Sequence, residues 1–335
     1  MHTVEFDTLN QMQCVFGFLD ENINKVKNAF NVAIELKDAC GPNIGHLTIT
    51  SEDDEAEKRA AEAIETLKVL YEQEKGLPEQ KVNYAIDLAG EGETRDVVRA
   101  MNDDIVTTFL GKPIRCRTAG QKQFVEAMKK NTITLCIGPA GTGKTYLAAA
   151  MAAKLLKEKA VDRIVMTRPA VESGENLGFL PGDLMNKVDP YLRPLHDAMF
   201  DIFGAEAYKK KQEDNVIEVA PIAYMRGRTI NRACYIIDEC QNMTLASLKM
   251  ALTRIGEGSV MVLNGDITQI DLPAGQSGLK KCADILKGIE GISVIHLTKK
   301  DVVRHKIVRD IVRAFEIHEE DESKKQQRRS YPMKR

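Results

Sequence analysis

The chain has 335 residues, enough for two domains or one large core, and 43% of them are hydrophobic and 29% charged. Both fractions are ordinary for a water-soluble protein. The formal net charge of −2 at pH 7 argues against a generally basic nucleic-acid binder, although a local basic patch can still contact a phosphate backbone.

The chain begins Met1-His-Thr-Val-Glu-Phe-Asp7, without the basic and long apolar stretches of a secretory signal. No segment approaches the length of an apolar membrane span. We therefore expect a cytoplasmic protein with no membrane partner. The seven cysteines are an odd number and form no Cys-x-x-Cys pair, so the sequence favours buried reduced thiols over disulfides or a zinc site.

Residues 1–76 have the pattern of a small α/β domain. Asp20 is predicted to cap a helix that ends near Asn31, and two short strands are predicted at 32–36 and 47–50.

A long helix is predicted over 51–74, because apolar residues recur at three- and four-residue spacing at Ala56, Ala60, Ile64, Leu67 and Tyr71. Gly76 follows where a C-cap glycine belongs. Residues 77–112 carry mixed charge and several glycines, which predicts a segment connecting two folding units.

Residues 113–318 alternate between strand and helix patterns. Apolar strands are predicted at 132–137, 163–166, 233–237, 259–263 and 292–296. Such alternation predicts an α/β domain with a mostly parallel sheet covered by helices on both faces. Residues 319–335 form an acidic and then basic tail, which fits either a solvated disordered segment or an RNA-binding arm.

The first of these strands runs into Gly-Pro-Ala-Gly-Thr-Gly-Lys-Thr, a complete match to Gly-x4-Gly-Lys-[Ser/Thr], and a helical pattern follows. Glycines let backbone N–H groups converge on phosphate oxygens at the positive end of a helix. Lys144 is expected to reach the β- and γ-phosphates and Thr145 to hold Mg²⁺. The sequence therefore predicts a nucleoside triphosphate site formed by Gly138, Pro139, Ala140, Gly141, Thr142, Gly143, Lys144 and Thr145.

The apolar strand at 233–237 ends in Asp238 and Glu239. A carboxylate at the first position would lie beside the phosphate loop and orient Mg²⁺ together with Thr145. Glu239 is the predicted general base, which polarises the attacking water. The pair also fits an acidic helix cap at the end of a buried strand.

The strand at 259–263 runs into Gly265-Asp-Ile-Thr-Gln-Ile-Asp-Leu-Pro273, a turn that leaves polar side chains at the carboxyl edge of the sheet, where ligands bind. Gln269 is predicted to contact the γ-phosphate or its water. Asp266 is predicted to tie the turn to the metal side.

The order of these three segments resembles the PhoH-like family of bacterial ATPases, which in turn look like the first motor domain of superfamily 1 helicases. The likeness covers roughly residues 113–316 and extends through Thr167–Glu172, Gly178–Asp183, Val188–Pro194, Tyr224–Thr229 and Asp301–His305. It implies a RecA-like P-loop NTPase core, a KH-like N-terminal domain, and ATP and Mg²⁺ as cofactors.

By the same resemblance, Gln121 takes the helicase position that reads adenine, and Arg304 takes that of an arginine that contacts the γ-phosphate. Each has a plainer interpretation. Gln121 also fits a polar residue at a helix N-terminus, and Arg304 a surface residue at a helix start.

Because only about thirty residues follow Arg304, we expect no counterpart of the second motor domain of a helicase. We expect an identical subunit to close the nucleotide site in a homo-oligomeric ring, a hexamer by family likeness. The candidate arginines that act from the neighbour are Arg226, Arg228 and Arg254.

The segment Thr167-Arg168-Pro169 corresponds to one that touches single-stranded nucleic acid in helicases. Aromatic and basic residues suited to RNA follow at Tyr191, Arg193, Tyr224 and Arg226, and the same residue types also build subunit contacts. The KH-like region lacks a Gly-x-x-Gly clamp, because the turn reads Gly17-Phe-Leu-Asp-Glu-Asn22 with two carboxylates that repel phosphate.

The leading hypothesis is a Mg²⁺-dependent ATP hydrolase that acts on RNA or ribonucleoprotein, with helicase-like remodelling in ribosomal RNA maturation as its output. A ribosome-maturation endoribonuclease is an implied partner. The alternative is an ATP-controlled regulatory or assembly factor for such a partner, without motor activity. The predicted catalytic residues are Lys144, Glu239, Gln269 and Arg304.

Overall fold

A computed structural model describes residues 1–37, 44–74, 76–90, 92, 103–169, 184–303, 307, 308, 311 and 315. For positions 73, 74, 80 and 184–189 it describes the backbone alone. The chain divides into two units, Met1–Val302 and Val303–Arg335. Arg304 and the predicted tail lie outside the described residues.

The N-terminal region contains a three-stranded antiparallel sheet in the order β1–β3–β2, with β1 at His2–Glu5, β2 at Ala33–Lys37 and β3 at His46–Thr50. Both strands predicted in this region are confirmed to within one residue. Side chains alternate between the two faces, so Val4, Ile34, Leu47 and Ile49 form one buried face.

Helices cover that buried face: α1 Leu9–Phe16, α2 Glu21–Phe30, α3 Asp54–Glu74 and α4 Glu79–Gly90. The hydroxyl of Thr8 accepts a hydrogen bond from the backbone N–H of Gln11 over 3.1 Å, which caps α1. Asp20 stands at the N-cap position of α2 in a left-handed conformation, and its side chain makes no capping hydrogen bond. The predicted side-chain cap is therefore not formed.

Helix α4 lies inside the stretch predicted to connect two folding units. Its Val82, Ala85 and Leu88 side chains are buried in the same core as the N-terminal sheet. The sequence pattern missed this helix because glycines and charges surround it. The predicted domain limits themselves stay a prediction.

A second sheet has six parallel strands among the described residues, in the order β11–β6–β10–β9–β7–β8. Each of the five strands predicted from apolar runs is present. The sixth, β8, was missed because Glu218 interrupts its apolar run. The strands are β6 Ile133–Ile137, β7 Arg163–Arg168, β8 Ile217–Pro221, β9 Ala233–Ile237, β10 Val260–Gly265 and β11 Ile292–His296. A small hairpin joins β4 Val106–Thr107 to β5 Pro113–Ile114.

Helices pack on both faces of this sheet, as the alternating pattern predicted. Along β9, Cys234 and Ile236 face one core, whereas Tyr235 and Ile237 face the other. The first core is completed by α5 Ala119–Lys130, α6 Lys144–Lys157, α7 Leu184–Phe203 and α8 Ala205–Glu213, and the second by α9 Leu245–Leu252 and α10 Leu279–Leu286.

The six described cysteines are free thiols, and all but Cys14 are buried. Burial raises the pKa of Cys116 to about 11 and that of Cys234 to about 12, so both stay protonated near neutral pH. Cys40 lies outside the described residues. Within the part of the chain that is described, no helix is both long and apolar enough to cross a bilayer.

Candidate nucleotide-binding site

A cavity of about 270 Å³ lies at the carboxyl edge of the parallel sheet. Strand β10 lies between β6 and β9, so the segments that follow these three strands meet at one place. The cavity is lined by residues 140, 141 and 143–146 after β6, by Asp238 and Glu239 after β9, and by residues 264–266 and 269 at the end of β10. The structure thus brings together the three predicted motifs.

The loop between β6 and α6 has a conformation that requires glycine. Gly143 has φ of 80°, a left-handed conformation that side chains disfavour. At Gly138, a Cβ would lie 2.6 Å from the Cβ of Leu297. The backbone therefore passes close to β11 before it turns into α6, and Gly143 leaves the first turn of α6 without a side-chain cap.

Lys144 is held over this loop by backbone oxygens. Its Nζ donates to the carbonyl oxygens of Gly138 and Pro139 over 2.6 and 2.9 Å. The Thr142 hydroxyl donates to the Pro139 carbonyl over 2.9 Å and closes the loop further. A cation, a row of glycines and an uncapped helix start form a cradle suited to phosphate.

Thr145 and Asp238 meet across the cavity floor. The Thr145 hydroxyl donates to Oδ1 of Asp238 over 2.7 Å. Burial, followed by the nearby Glu239 carboxylate, raises the pKa of Asp238 above its usual value, and the hydrogen bond from Thr145 opposes this shift. A buried carboxylate with a raised pKa gains from a neighbouring cation.

These oxygen atoms fit a magnesium ion. Among the described residues, no group of three or more His, Cys, Asp or Glu side chains is placed to hold a metal. Mg²⁺ is ordinarily held by one or two protein oxygens together with substrate phosphates, rather than by a cage of protein ligands. Thr145 and Asp238 match that mode of binding.

Asp266 organises the turn after β10. Its Oδ1 accepts hydrogen bonds from the backbone N–H and the hydroxyl of Thr268, over 2.9 and 2.6 Å. Its Oδ2 is buried and has no hydrogen-bond partner among the described residues. Gln269 is exposed and lines the cavity, and its contact with the γ-phosphate or the attacking water stays a prediction.

Glu239 lies beside Asp238 in a left-handed conformation, with φ of 55°. Its Oε1 accepts from Nη2 of Arg168 over 2.7 Å, and its Oε2 accepts from Nε2 of Gln241. Glu239 stands at the N-cap of a short turn, but its side chain makes no capping hydrogen bond. The acidic-cap interpretation of this residue therefore has no hydrogen bond to support it.

Gln121 contacts the loop rather than facing the open cavity. Its Nε2 donates to the Thr142 carbonyl over 3.0 Å, and its Oε1 accepts from the backbone N–H of Arg117 over 2.7 Å. The side chain is buried in the first turn of α5. Both ends of its amide are engaged within the protein, and base recognition by Gln121 stays a prediction.

A family model described as PhoH-like protein matches residues 113–316. A PhoH-like protein of Bacillus subtilis (strain 168) is 48% identical over 303 residues, which cover 90% of this chain and 93% of the relative. The chain belongs to the PhoH-like family. Members of this family are generally ATP-binding proteins of the P-loop NTPase type.

Other PhoH relatives match over a smaller part. The PhoH-like protein of Mycobacterium tuberculosis (strain ATCC 25618 / H37Rv) is 56% identical over 211 residues, 63% of this chain and 60% of the relative. Protein PhoH of Escherichia coli (strain K12) is 42% identical over 206 residues, 61% of this chain and 58% of the relative. The chain thus matches about three fifths of the length of these two proteins.

Sequence reasoning missed Asn264, the residue before the Gly-Asp turn. Its side chain is fully buried, it lines the cavity, and neither amide atom has a hydrogen-bond partner within the described part of the chain. Buried amides are nearly always paired, so an unpaired one at a site calls for water or a ligand. Its position as the last polar residue of an apolar strand is the one sequence signal that pointed to it.

The three candidate arginines for a neighbouring subunit differ in their surroundings. Arg228 forms a two-point ion pair with Glu218, over 2.6 and 2.7 Å, which lowers the pKa of that carboxyl below its usual value. Arg254 donates to the carbonyls of Met250 and Arg228. Arg226 is exposed.

Proposed function

We propose that this PhoH-like chain is a Mg²⁺-dependent ATP hydrolase that acts on RNA or ribonucleoprotein. The observation that carries the proposal is the convergence of Lys144, Thr145, Asp238 and Glu239 on one cavity. A phosphate cradle, a site for a hard cation and a separate carboxylate are the parts that phosphoryl transfer to water requires.

Lys144 and the loop N–H groups would bind the phosphates of ATP. Among the described residues, the Lys144 ammonium donates to two carbonyl oxygens and pairs with no carboxylate, so its charge is available to an anion that enters the cradle. Thr145 and Asp238 would hold Mg²⁺, which neutralises charge on the phosphates when bound. Asp266 and Asn264 line the same cavity and present buried polar atoms that have no partner among the residues described.

Glu239 would act as the general base. Its carboxylate is half-buried, lines the cavity and is one residue beyond the metal-side aspartate. It would orient the attacking water and accept its proton, while exposed Gln269 contacts the same water or the γ-phosphate.

RNA is the polymer that the carboxyl edge fits best. Arg168 ends β7 at this edge, and Tyr191 and Arg193 follow on α7. Arg193 is exposed and Tyr191 half-buried, as stacking and phosphate contact require. The same surface would also serve a second copy of the chain, whose Arg226 would then complete the nucleotide site in a ring.

A second candidate function is an ATP-controlled assembly factor for a partner ribonuclease. The observation in its favour is the exposed turn between α1 and α2, where Phe18 and Leu19 are exposed beside the acidic Asp20 and Glu21. Apolar and acidic groups suit a protein partner better than RNA.

ATP turnover with and without a single-stranded oligoribonucleotide tests the proposal. A polymer-coupled hydrolase turns over faster with RNA, whereas an assembly factor does not respond. Phosphate released in wild-type protein, but not in Glu239→Gln, assigns the turnover to this site. Transfer of phosphate to an acceptor other than water would contradict hydrolysis.

A further inference from the structure

Arg168 and Glu239 are held side by side by the sheet. Strand β7 pairs with β9 as far as Thr167 opposite Ile237, and the N–H of Asp238 donates to the Thr167 carbonyl over 2.9 Å. Arg168 follows Thr167, and Glu239 follows Asp238. Nη2 of Arg168 and Oε1 of Glu239 therefore lie 2.7 Å apart. The two are 71 positions apart in sequence, so tertiary structure alone creates this pair.

Both oxygens of the Glu239 carboxylate are engaged. Arg168 occupies one and the amide of Gln241 occupies the other. A base orients a water through a lone pair of its carboxylate, and the charge-assisted hydrogen bond from Arg168 competes with that water for the same oxygen. In this arrangement the carboxylate is therefore restrained.

Arg168 also connects the base to the segments around it. Its Nη1 donates to the Tyr191 carbonyl in α7 over 3.1 Å. On the other side of Glu239, Oε1 of Gln241 accepts from the N–H of Asp266 over 2.9 Å. A continuous set of hydrogen bonds therefore runs from α7, through Arg168 and Glu239, to the turn that carries Gln269.

We propose that Arg168 restrains Glu239 and that the phosphate backbone of single-stranded RNA releases it. The inference rests on the proposed hydrolysis of ATP and names its regulation. A guanidinium binds carboxylate and phosphate with the same planar fork, so a phosphodiester at Arg168 competes directly with Glu239. The side chain of Arg168 is 21% exposed, which leaves it open to such a ligand.

Other described arginines do not share this position. Arg228 is paired with Glu218 at the edge strand, and Arg232 with Asp162 at the amino edge of the sheet. Among the ion pairs of the described residues, Arg168 alone contacts a proposed catalytic side chain. Arg232 therefore provides a matched control, an arginine–carboxylate pair between the same two strands but away from the cavity.

The test compares Arg168→Gln with wild type in ATP turnover, with and without single-stranded oligouridine. We expect Arg168→Gln to raise the RNA-free rate about tenfold, the effect of losing one charge-assisted hydrogen bond. Stimulation by oligouridine should fall toward onefold. Arg168→Lys, which keeps the charge, should retain part of the response, and Arg232→Gln should leave both rates unchanged.

Binding of a fluorescent ATP analogue, expected to be unchanged in Arg168→Gln, shows that the variant is folded. A slower RNA-free rate with normal stimulation would assign Arg168 a supporting role and overturn the proposal, as would wild-type behaviour in both rates. Wild-type protein that hydrolyses ATP without responding to RNA contradicts the release step, while the RNA-free rate of Arg168→Gln still decides the restraint. Absence of turnover in every form contradicts the proposed function itself.

Discussion

The larger of the two described cavities is not the one to which we assign ATP hydrolysis. A cavity of about 490 Å³ in the N-terminal region is lined mostly by apolar side chains of α1, α2 and the antiparallel sheet. The cavity at the phosphate loop holds about 270 Å³ and is lined by glycine backbone, a lysine and carboxylates. The size of a cavity depends on how helices pack on a sheet. Its polar and charged groups depend on which loops meet at the carboxyl ends of the strands.

Replacing the proposed base in the smaller cavity should give the largest effect on ATP turnover. We expect Glu239→Gln to lower ATP turnover by about 10²-fold or more, the usual loss when a general base is removed, and to keep ATP bound. Phosphate release and binding of a fluorescent ATP analogue measure the two effects. The exposed Glu290→Gln serves as the control, and normal turnover in Glu239→Gln would place the base elsewhere.

Removal of the loop lysine should act on binding. Lys144→Ala deletes the cation of the cradle and its two hydrogen bonds to loop carbonyls, so we expect ATP affinity to fall by about tenfold or more. Calorimetric titration measures it. Lys154→Ala, at the far end of the same helix, should bind ATP normally; equal affinities for both variants would exclude the cradle.

Asn264→Leu should change the free energy of unfolding and the affinity for ATP in opposite directions. A buried amide that has no partner among the described residues costs stability, so leucine, which has the same branched shape, should raise the free energy of unfolding by about 1 kcal/mol. If the amide serves a ligand, ATP affinity should fall about tenfold at the same time. Chemical denaturation and ATP titration measure the two. Lower stability with unchanged affinity would show that the amide is satisfied within the fold.

Gln121→Ala distinguishes the two interpretations of that residue. Loss of its bond to the Thr142 carbonyl loosens the loop, and we expect a fall of about fivefold in affinity for ATP and GTP alike. A fall restricted to ATP would indicate that Gln121 reads adenine. Gln123→Ala, on the exposed side of the same helix, is the matched control.

The smallest effect belongs to the N-terminal region. Phe18 is 82% exposed, so Phe18→Ser should change the free energy of unfolding by less than about 0.5 kcal/mol. ATP affinity and RNA-free turnover should match wild type. A change in either would mean that the apolar turn affects the nucleotide site. ATP binding and hydrolysis could then no longer be assigned to the smaller cavity alone.

Much of this arrangement is local in sequence and was therefore predictable. The phosphate loop, the acidic pair after β9 and the turn after β10 are contiguous segments, and the parallel sheet that gathers them follows from strand–helix alternation. Burial on both faces gives these strands continuous apolar runs. The edge strand β8, with Glu218 as its second residue, lacks such a run and was missed.

The contacts between distant segments were not predictable. Nothing in the sequence pairs Arg168 with Glu239 or joins Gln121 to the Thr142 carbonyl, because both contacts depend on strand register and helix packing. The orphaned amide of Asn264 is likewise a property of its surroundings. Arg304 and the basic tail stay predictions.

Glu239 has a backbone conformation that glycine or asparagine would adopt at lower cost, roughly 1 kcal/mol less for such a residue. A library screened only for resistance to heat would therefore enrich glycine at this position and silently discard the carboxylate. The chain keeps this slightly strained backbone at the position where the Glu239 side chain lines the cavity. At position 239, selection for stability alone would therefore act against the proposed hydrolysis of ATP.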